Sequence, residues 1–428
     1  METQPTLALS DALNFTPLRP AVASRATRVV INPISQGAQY PGSVVKFDLP
    51  CGTGARYLDC SETCLQFTIQ NTDPTAAQSL ALDGSAYCFL NRLDVISSGQ
   101  IVETIQSYNV LANTLLDIQM GAATAFTSGS IAYGMASPSS NNVDRTGLSI
   151  PTNGVADFNI PVMSGVIGSS CKKLLPIHAL GDLRAEFTLE SLVQSVVSAS
   201  ATANWTMINP VLICTYVDLD PEMHRSIQAK SGGEYLLSTS SWRSFNSTLI
   251  AGRSQDSVII PARFSSVSMI ANVFRDIPHL NVLADLGLTA RSNPFASTTG
   301  VQCQLQYAIG GALYPQSAVR NGISEMWATT QTAFHQVDDV NNPSRCTLAN
   351  WSGPVYSATV PGTFVTALNF CSFIGKTSTM TSGISTMSTP VVLNLTYPAA
   401  VTPSQRIDSF VCYDAIMKIN ENGLLMMF

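Results

Sequence analysis

The sequence predicts an all-β protein made of two consecutive β-sandwiches, each with a short helix inserted midway. Three observations carry this expectation. Apolar and polar residues alternate with period two in many short runs. A strand, a glycine turn, a strand and a helix occur once in each half. The chain has 428 residues, enough for two cores, yet only 12% of them are charged, against roughly 25% in ordinary soluble domains. The repeated unit reads LNRLDVISSGQIVETIQSYNVLANTLLDIQ over 90–119 and VQCQLQYAIGGALYPQSAVRNGISEMWATTQTAF over 301–334. Superposing Gly99 on Gly311 sets Asn109 over Asn321 without a gap, where each helix is expected to start. Residue identity between the copies is low, so what repeats is a structural rhythm, as in duplicated sandwiches.

Taken in order, residues 1–40 hold four prolines and few periodic apolar positions, and read as an extended N-terminal arm. The first sandwich is expected over 41–219. In VVKFDL, Val45, Phe47 and Leu49 alternate with Lys46 and Asp48; in LQFTIQ, Leu65, Phe67 and Ile69 alternate with polar partners. Both are the pattern of half-buried strands. The helix at 107–119 places Tyr108, Leu111, Leu115 and Ile118 on one face, expected to close the open end of its own sandwich. A Gly, Ser, Ala and Asn-rich segment follows over 120–154, of a length expected for a functional, disordered or neighbour-packed loop. Strands resume with Phe158, Ile160 and Val162 inward, then Phe187 and Leu189. The half ends on TMINPVLICTYVDL, where Val211, Ile213 and Val217 are expected to be buried.

Residues 220–232 read as a linker with a short helix: Asp220 is a plausible N-cap, Pro221 and Glu222 fill the first turn, and Gly232 and Gly233 end it. The second sandwich is expected over 233–428. Val267, Met269, Ala271 and Val273 share one phase, and Ser266, Ser268 and Asn272 the other; Gln302, Gln304 and Gln306 alternate with Cys303, Leu305 and Tyr307. The second helix, from Asn321, offers Ile323, Met326, Trp327, Ala333 and Phe334. A Pro/Asn-rich loop spans 335–362. Val411, Tyr413, Ala415, Met417 and Ile419 share one face of the last long strand, and the terminal LLMMF is expected to be docked. Each half thus supplies about eight short strands, the number of a jelly roll, and plain immunoglobulin-like sandwiches do not need a helix there.

Composition narrows the function. Ser, Thr, Asn, Gln and Gly fill the polar positions, which suits faces covered by neighbours; a generic all-β surface gives the same bias, because strands favour Thr over Lys and Glu. The net charge is −6, and Arg19, Arg25 and Arg28 are too few for a genome-condensing arm. The ten cysteines show no framework spacing; Cys51, Cys60 and Cys64 have no histidine nearby, and buried thiols in a reducing compartment are expected. The N-terminus lacks the features of a signal peptide, and no run reaches the roughly 20 apolar residues of a membrane span. The sequons at Asn14, Asn204, Asn246, Asn350 and Asn394 are no more than chance provides.

Reactive groups do not converge in sequence. His178, His224, His279 and His335 are scattered, and Asp338 and Asp339 adjoin within a polar loop. Gly310 and Gly311 are followed by no Gly-Lys-Ser/Thr, and Gly-x-Ser-x-Gly is absent. No catalytic, cofactor-binding or metal-ligating residue is assigned, and an enzyme is the least favoured class.

Four stretches resemble the double jelly-roll major capsid proteins of double-stranded DNA viruses, the lineage of adenovirus hexon and tectivirus coats, and particularly those of polinton-like viruses, adintoviruses and virophages. FLNRLDVISSGQIVETIQSYNVLANTLL resembles the strand–turn–strand–helix of the first roll. LPIHALGDLRAEFTLES is similar to the segment leading into a late strand of that roll. QLQYAIGGALYPQSAVRNGISEMW resembles the matching element of the second roll, and RIDSFVCYDAIMKINENGLLMMF the terminal strand. The resemblance implies a homotrimer whose six sandwiches form a pseudo-hexagonal capsomer of an icosahedral shell around a DNA genome. It also implies penton and minor capsid or cement partners, no direct sequence-specific nucleic-acid binding, and residence in the virion after synthesis in the host cytoplasm or nucleus. Two alternatives stay open: a single-jelly-roll coat of an RNA virus with a protruding domain, and a β-sandwich carbohydrate-binding module. The first expects a strongly basic arm and the second an exposed aromatic face or a carboxylate cluster.

Overall fold

In a computed structural model, the described residues are 24–295, 303–320, 323–334, 346, 351, 362–371, 383–420 and 423–427, with breaks at 53, 76–77, 122–123, 136–147, 169, 172 and 290. The strands of the first half are Ser24–Ile31 (β1), Val44–Leu49 (β2), Arg56–Asn71 (β3), Leu80–Leu82 (β4), Leu90–Ser97 (β5), Gln100–Ile105 (β6), Ser149–Ile150 (β7), Val155–Pro161 (β8), Leu183–Leu189 (β9), Val196–Val197 (β10) and Trp205–Leu219 (β11). Those of the second are Tyr235–Leu249 (β12), Gln255–Ile260 (β13), Val267–Asp276 (β14), Gln304–Ile309 (β15), Ala312–Val319 (β16), Thr366–Asn369 (β17), Val391–Thr396 (β18), Gln405–Asn420 (β19) and Gly423–Met427 (β20). Three helices matter: Tyr108–Gln119 (α1), Pro221–Ser231 (α2) and Ser324–Ala333 (α3).

The pairing is the same in both halves. In the first, four-stranded sheets run β1-β11-β3-β8 and β2-β9-β5-β6; in the second, β12-β19-β14-β17 and β13-β18-β15-β16. Rank for rank these are one strand order used twice, and every pair is antiparallel. Eight strands in two sheets, with a helix after the fifth, make each half a jelly roll. A small β10-β4-β7 sheet is added to the first roll, and β20 extends the second along β19.

The paired glycine turns have a shared cause. Ser98 and Gly99 (φ 51° and 72°) join β5 to β6, and Gly310 and Gly311 (φ 58° and 86°) join β15 to β16. Two positive φ values in a two-residue hairpin loop match the right-handed strand twist, and glycine takes them without strain. The helices keep that parallel less closely. Asn109 is the second residue of α1, whereas α3 begins at Ser324, with Ile323 exposed ahead of it; Gln302 and Asn321 lie outside the described residues.

Most strand phases follow the alternation read from sequence. Val45, Phe47, Leu49, Leu65, Phe67, Ile69, Phe158, Ile160, Val162, Phe187 and Leu189 are all buried, as are Cys303, Leu305 and Tyr307. So are Val411, Tyr413, Ala415, Met417 and Ile419, and the C-terminal run docks as β20. Four expectations are corrected. Residues 24–31 are not free arm: β1 pairs with β11 over its whole length, yet most of its side chains are exposed, so backbone pairing holds it and no alternation marks it; residues 1–23 lie outside the described set. In β11 a bulge at Asn209 and Pro210, with Asn209 at φ 51°, shifts the register, so Leu212, Cys214 and Tyr216 are fully buried while Val211 and Val217 are only half-buried. From Met269 onward β14 is buried on both faces, and Asn272 bonds Tyr307 and Ser409 within the core. Finally, α1 is not amphipathic in its setting: every residue from Tyr108 to Ile118 is buried. The segment after it is helical at Ala125–Tyr133, while 136–147 lies outside the described residues.

Aromatic side chains fill both rolls. Phe67 and Trp205 flank Phe89 at ring distances of 6.2 and 4.9 Å; Phe274 and Phe364 lie 5.8 Å apart in the second roll, where Phe264 stacks on Tyr413 at 4.0 Å. The buried apolar residues of both rolls join into one core. The shifted phase of β11 gives a direct comparison. Leu212→Ala is expected to cost about 2–5 kcal/mol in urea unfolding and Val211→Ala under about 1.5 kcal/mol; equal losses would contradict the bulge.

Candidate functional site: the seam between the rolls

Every named strand pairs within its own half, so the two rolls are joined by side chains and loops. The first-half carboxylates Asp83, Glu103 and Asp117 all point into this seam. Asp83, 1% exposed, accepts from the backbone N–H groups of Leu288 and Thr289 and from the Thr289 hydroxyl at 2.6 Å. Glu103, 2% exposed on β6, accepts from the hydroxyls of Ser164 and of Ser241 on β12, and from the Gly165 N–H at 2.8 Å. The Thr239 hydroxyl of β12 donates to the Gly165 carbonyl. Near the end of α1, Asp117 meets the buried Arg291 guanidinium at 3.0 Å. Burial pushes the carboxyls of Asp83 and Glu103 up, and the hydrogen bonds they accept pull the other way.

This explains why α1 is buried all round. Its apolar residues and Tyr108 pack on the first roll, where the Tyr108 hydroxyl accepts from the Met163 N–H at 2.8 Å. Its polar side is occupied rather than solvated. Asn109 donates to Glu190 at 2.9 Å, Asn113 accepts from Ser85 at 2.7 Å, and Asp117 reaches across to the second roll. Behind the seam, the buried Arg275 of β14 pairs with Asp408 of β19 at 2.7 Å.

A cleft of about 760 Å³ opens along the seam between α1, β12, β14 and α3, walled by Leu115, Met163, Trp242, Met269 and Phe334. Its titratable lining is Asp414, Cys371 and Cys412. Burial pushes all three up, Cys412 to about 12, so both sulfurs are protonated thiols at neutral pH and poor nucleophiles. Among the described residues, no three His, Cys, Asp or Glu side chains converge as metal ligands, and no helix is long and apolar enough to cross a membrane. Five cysteines, Cys60, Cys88, Cys171, Cys214 and Cys303, are buried.

The histidines are not all scattered. His178 and His224 stand edge to face with ring centroids 4.5 Å apart. The Tyr57 hydroxyl lies 3.1 Å from His224 Nδ1, and His178 Nε2 lies 3.0 Å from the Tyr235 hydroxyl. The cluster therefore ties β3, α2 and β12 together, and α2 has no buried residue. Burial holds the His178 imidazole below its ordinary value, and His224 adds to that, partly offset by the Arg56 carbonyl. Forty-six residues separate the two histidines in sequence, and no periodicity could have joined them. His279 pairs with Asp285 at 3.0 Å; His335, Asp338 and Asp339 lie outside the described residues.

Among the described residues, the edge strands β1, β8, β13 and β16 all carry exposed side chains. On β1, Ser24, Arg25, Ala26, Arg28 and Val30 are exposed, Val30 at 47%; on β16, Ala312, Leu313, Gln316 and Ser317 are exposed, Leu313 at 46%. Strands β1 and β16 occupy the ranks that β12 and β6 hold in the other roll, where the seam covers Thr239, Ser241 and Glu103.

No family model matches the sequence, and no curated protein matches it. Solved structures do match over nearly the whole chain. A quasi-atomic model of the PBCV-1 virus capsid is similar with a TM-score of 0.60 and 13% identity, covering 96% of this chain and 98% of that one. The Faustovirus major capsid protein gives 0.59 and 10%, covering 97% and 93%. A chain of the Sputnik virophage gives 0.57 and 11%, covering 100% and 93%. At these identities the fold is what is shared: two jelly rolls in one chain.

The seam and the histidine cluster each make a prediction. Asp117→Ala removes the charge facing Arg291 and is expected to cost about 3–5 kcal/mol in urea unfolding, while Asp117→Leu with Arg291→Met recovers most of it. For His178, the folded state disfavours the proton, so the unfolded chain binds more protons as pH falls through the ordinary imidazole value of about 6.5. The contribution of His178 is therefore present above that pH and lost below it. Thermal midpoints measured from pH 8 to pH 5 should fall more steeply for the unaltered protein than for His178→Gln; parallel curves would contradict it.

Proposed function

We propose that this chain is the major capsid protein of an icosahedral double-stranded DNA virus. One observation carries the reading: a single strand order used twice in one chain, matched end to end by capsid proteins of comparable length. Three two-roll chains supply six similar sandwiches, and a homotrimer of them forms a pseudo-hexagonal block that tiles an icosahedral facet. Its binding energy comes from complementary buried faces rather than a reacting group, and the protein is not an enzyme. Sparse charge supports the same reading, because unpaired charges are costly to desolvate in such faces. The partners are further copies of this chain, then penton and minor capsid proteins, and the protein resides in the virion shell.

The trimer is directly measurable. Light scattering after size exclusion of the reduced protein should give about 137 kDa, three times the 45.6 kDa chain. A concentration-independent monomer would overturn the capsomer reading and favour a binding module.

A further inference from the structure

We propose that His178 and His224 form an acid-operated latch on α2: a hydrogen-bonded chain between the two rings accepts one added proton and releases the helix when it receives a second.

The chain has a direction, and one end sets it. A backbone carbonyl only accepts, so the Arg56 carbonyl at 3.2 Å fixes the proton of neutral His178 on Nδ1. His178 Nε2 is then an acceptor and takes the Tyr235 hydroxyl at 3.0 Å. The Tyr235 oxygen accepts from the Tyr57 hydroxyl. The Tyr57 oxygen in turn accepts from Nδ1–H of His224 at 3.1 Å. Every bond in the chain is made.

One further proton fits. On His224 it sits on Nε2 and leaves the chain as it was. On His178 it also sits on Nε2, and both hydroxyls turn round: Tyr235 donates to Tyr57, and Tyr57 donates to Nδ1 of His224, whose own proton is then on Nε2. Two protons do not fit. With both rings charged, each end of the chain donates inward, and one hydroxyl hydrogen between them has no acceptor left. Two imidazolium rings with centroids 4.5 Å apart also repel. The released helix takes the second proton and the docked one does not, so acid favours release.

Neighbouring charges do not relieve this. Arg56 of β3 is engaged with Asp218 of β11 at 2.9 Å, and Glu234, just ahead of β12, with Lys418 of β19. Lys173 and Lys230 line the cavity beside Tyr57 and Tyr235 and are cations. The Asp220 carboxylate caps the Glu222 N–H, and Glu222 and Arg225, exposed on α2 beside His224, carry opposite charges.

The helix depends on this chain. It has no buried residue, and among the described residues the Tyr57–His224 bond is the hydrogen bond that ties it to a strand. A cavity of about 480 Å³ lies between its Ile227, Lys230 and Ser231 and the facing Leu174 and Pro176, so packing adds little hold. The seam is held by other groups, and the rolls stay joined when the helix leaves.

Hydrogen exchange on the full chain, read by mass spectrometry and corrected for the intrinsic pH dependence of amide exchange, tests the latch. Protection of residues 221–231 should fall at least about tenfold between pH 8 and pH 5, while β6 and β12 stay protected. His178→Gln and His224→Asn each leave a single ring to be charged, so neither should lose helix protection over that range. Tyr57→Phe breaks the chain in the middle and should lower protection at pH 8 as well. Helix protection that does not vary with pH in the unaltered protein would overturn the latch. So would an acid loss that either single-histidine variant retains in full, or a helix unmoved by Tyr57→Phe.

Discussion

The two rolls can share one core only because each carboxylate buried between them is met by donors. Asp83, Glu103 and Asp117 leave water together when the halves close, and each would oppose closure if its partner were missing. Their partners come from backbone N–H groups, serine and threonine hydroxyls and one guanidinium, all on loops and edges whose positions the sheets set. The strand order of each roll thus determines whether the seam is satisfied, and the satisfied seam holds the rolls in one orientation. Helix α1 depends on the same condition, since its polar face has no solvent to turn to.

Much of this was legible in the chain. Period-two alternation located most strands and their inward residues because a half-buried strand has one dry and one wet face. It failed where that premise fails. On β1 nearly all side chains are wet and only the backbone is engaged, so Ser24–Ile31 looked like arm. On β14 both faces are dry, so phase carried no direction. In β11 one bulge reversed the alternation halfway. The seam was not readable at all: Asp117 and Arg291, or Glu103 and Ser241, are far apart in sequence and meet only after both rolls exist. The histidine pair was hidden for the same reason.

The seam cleft holds thiols kept protonated by burial, and Asp414, Ser268 and Asn369 beside them are engaged in structural hydrogen bonds. With so few charges, the exposed sheet edges would lose less on desolvation than a typical charged surface.

Joining both rolls in one chain through α2 has a genetic consequence. A substitution in a ring of six identical subunits appears at all six places, whereas in the proposed trimer of two-roll chains it would appear at three alternate ones. Each roll is free to diverge from its twin while the ring geometry stays common to both. The exposed β1 and the covered β12, the early α1 and the late α3, show how far the two rolls already differ within one strand order.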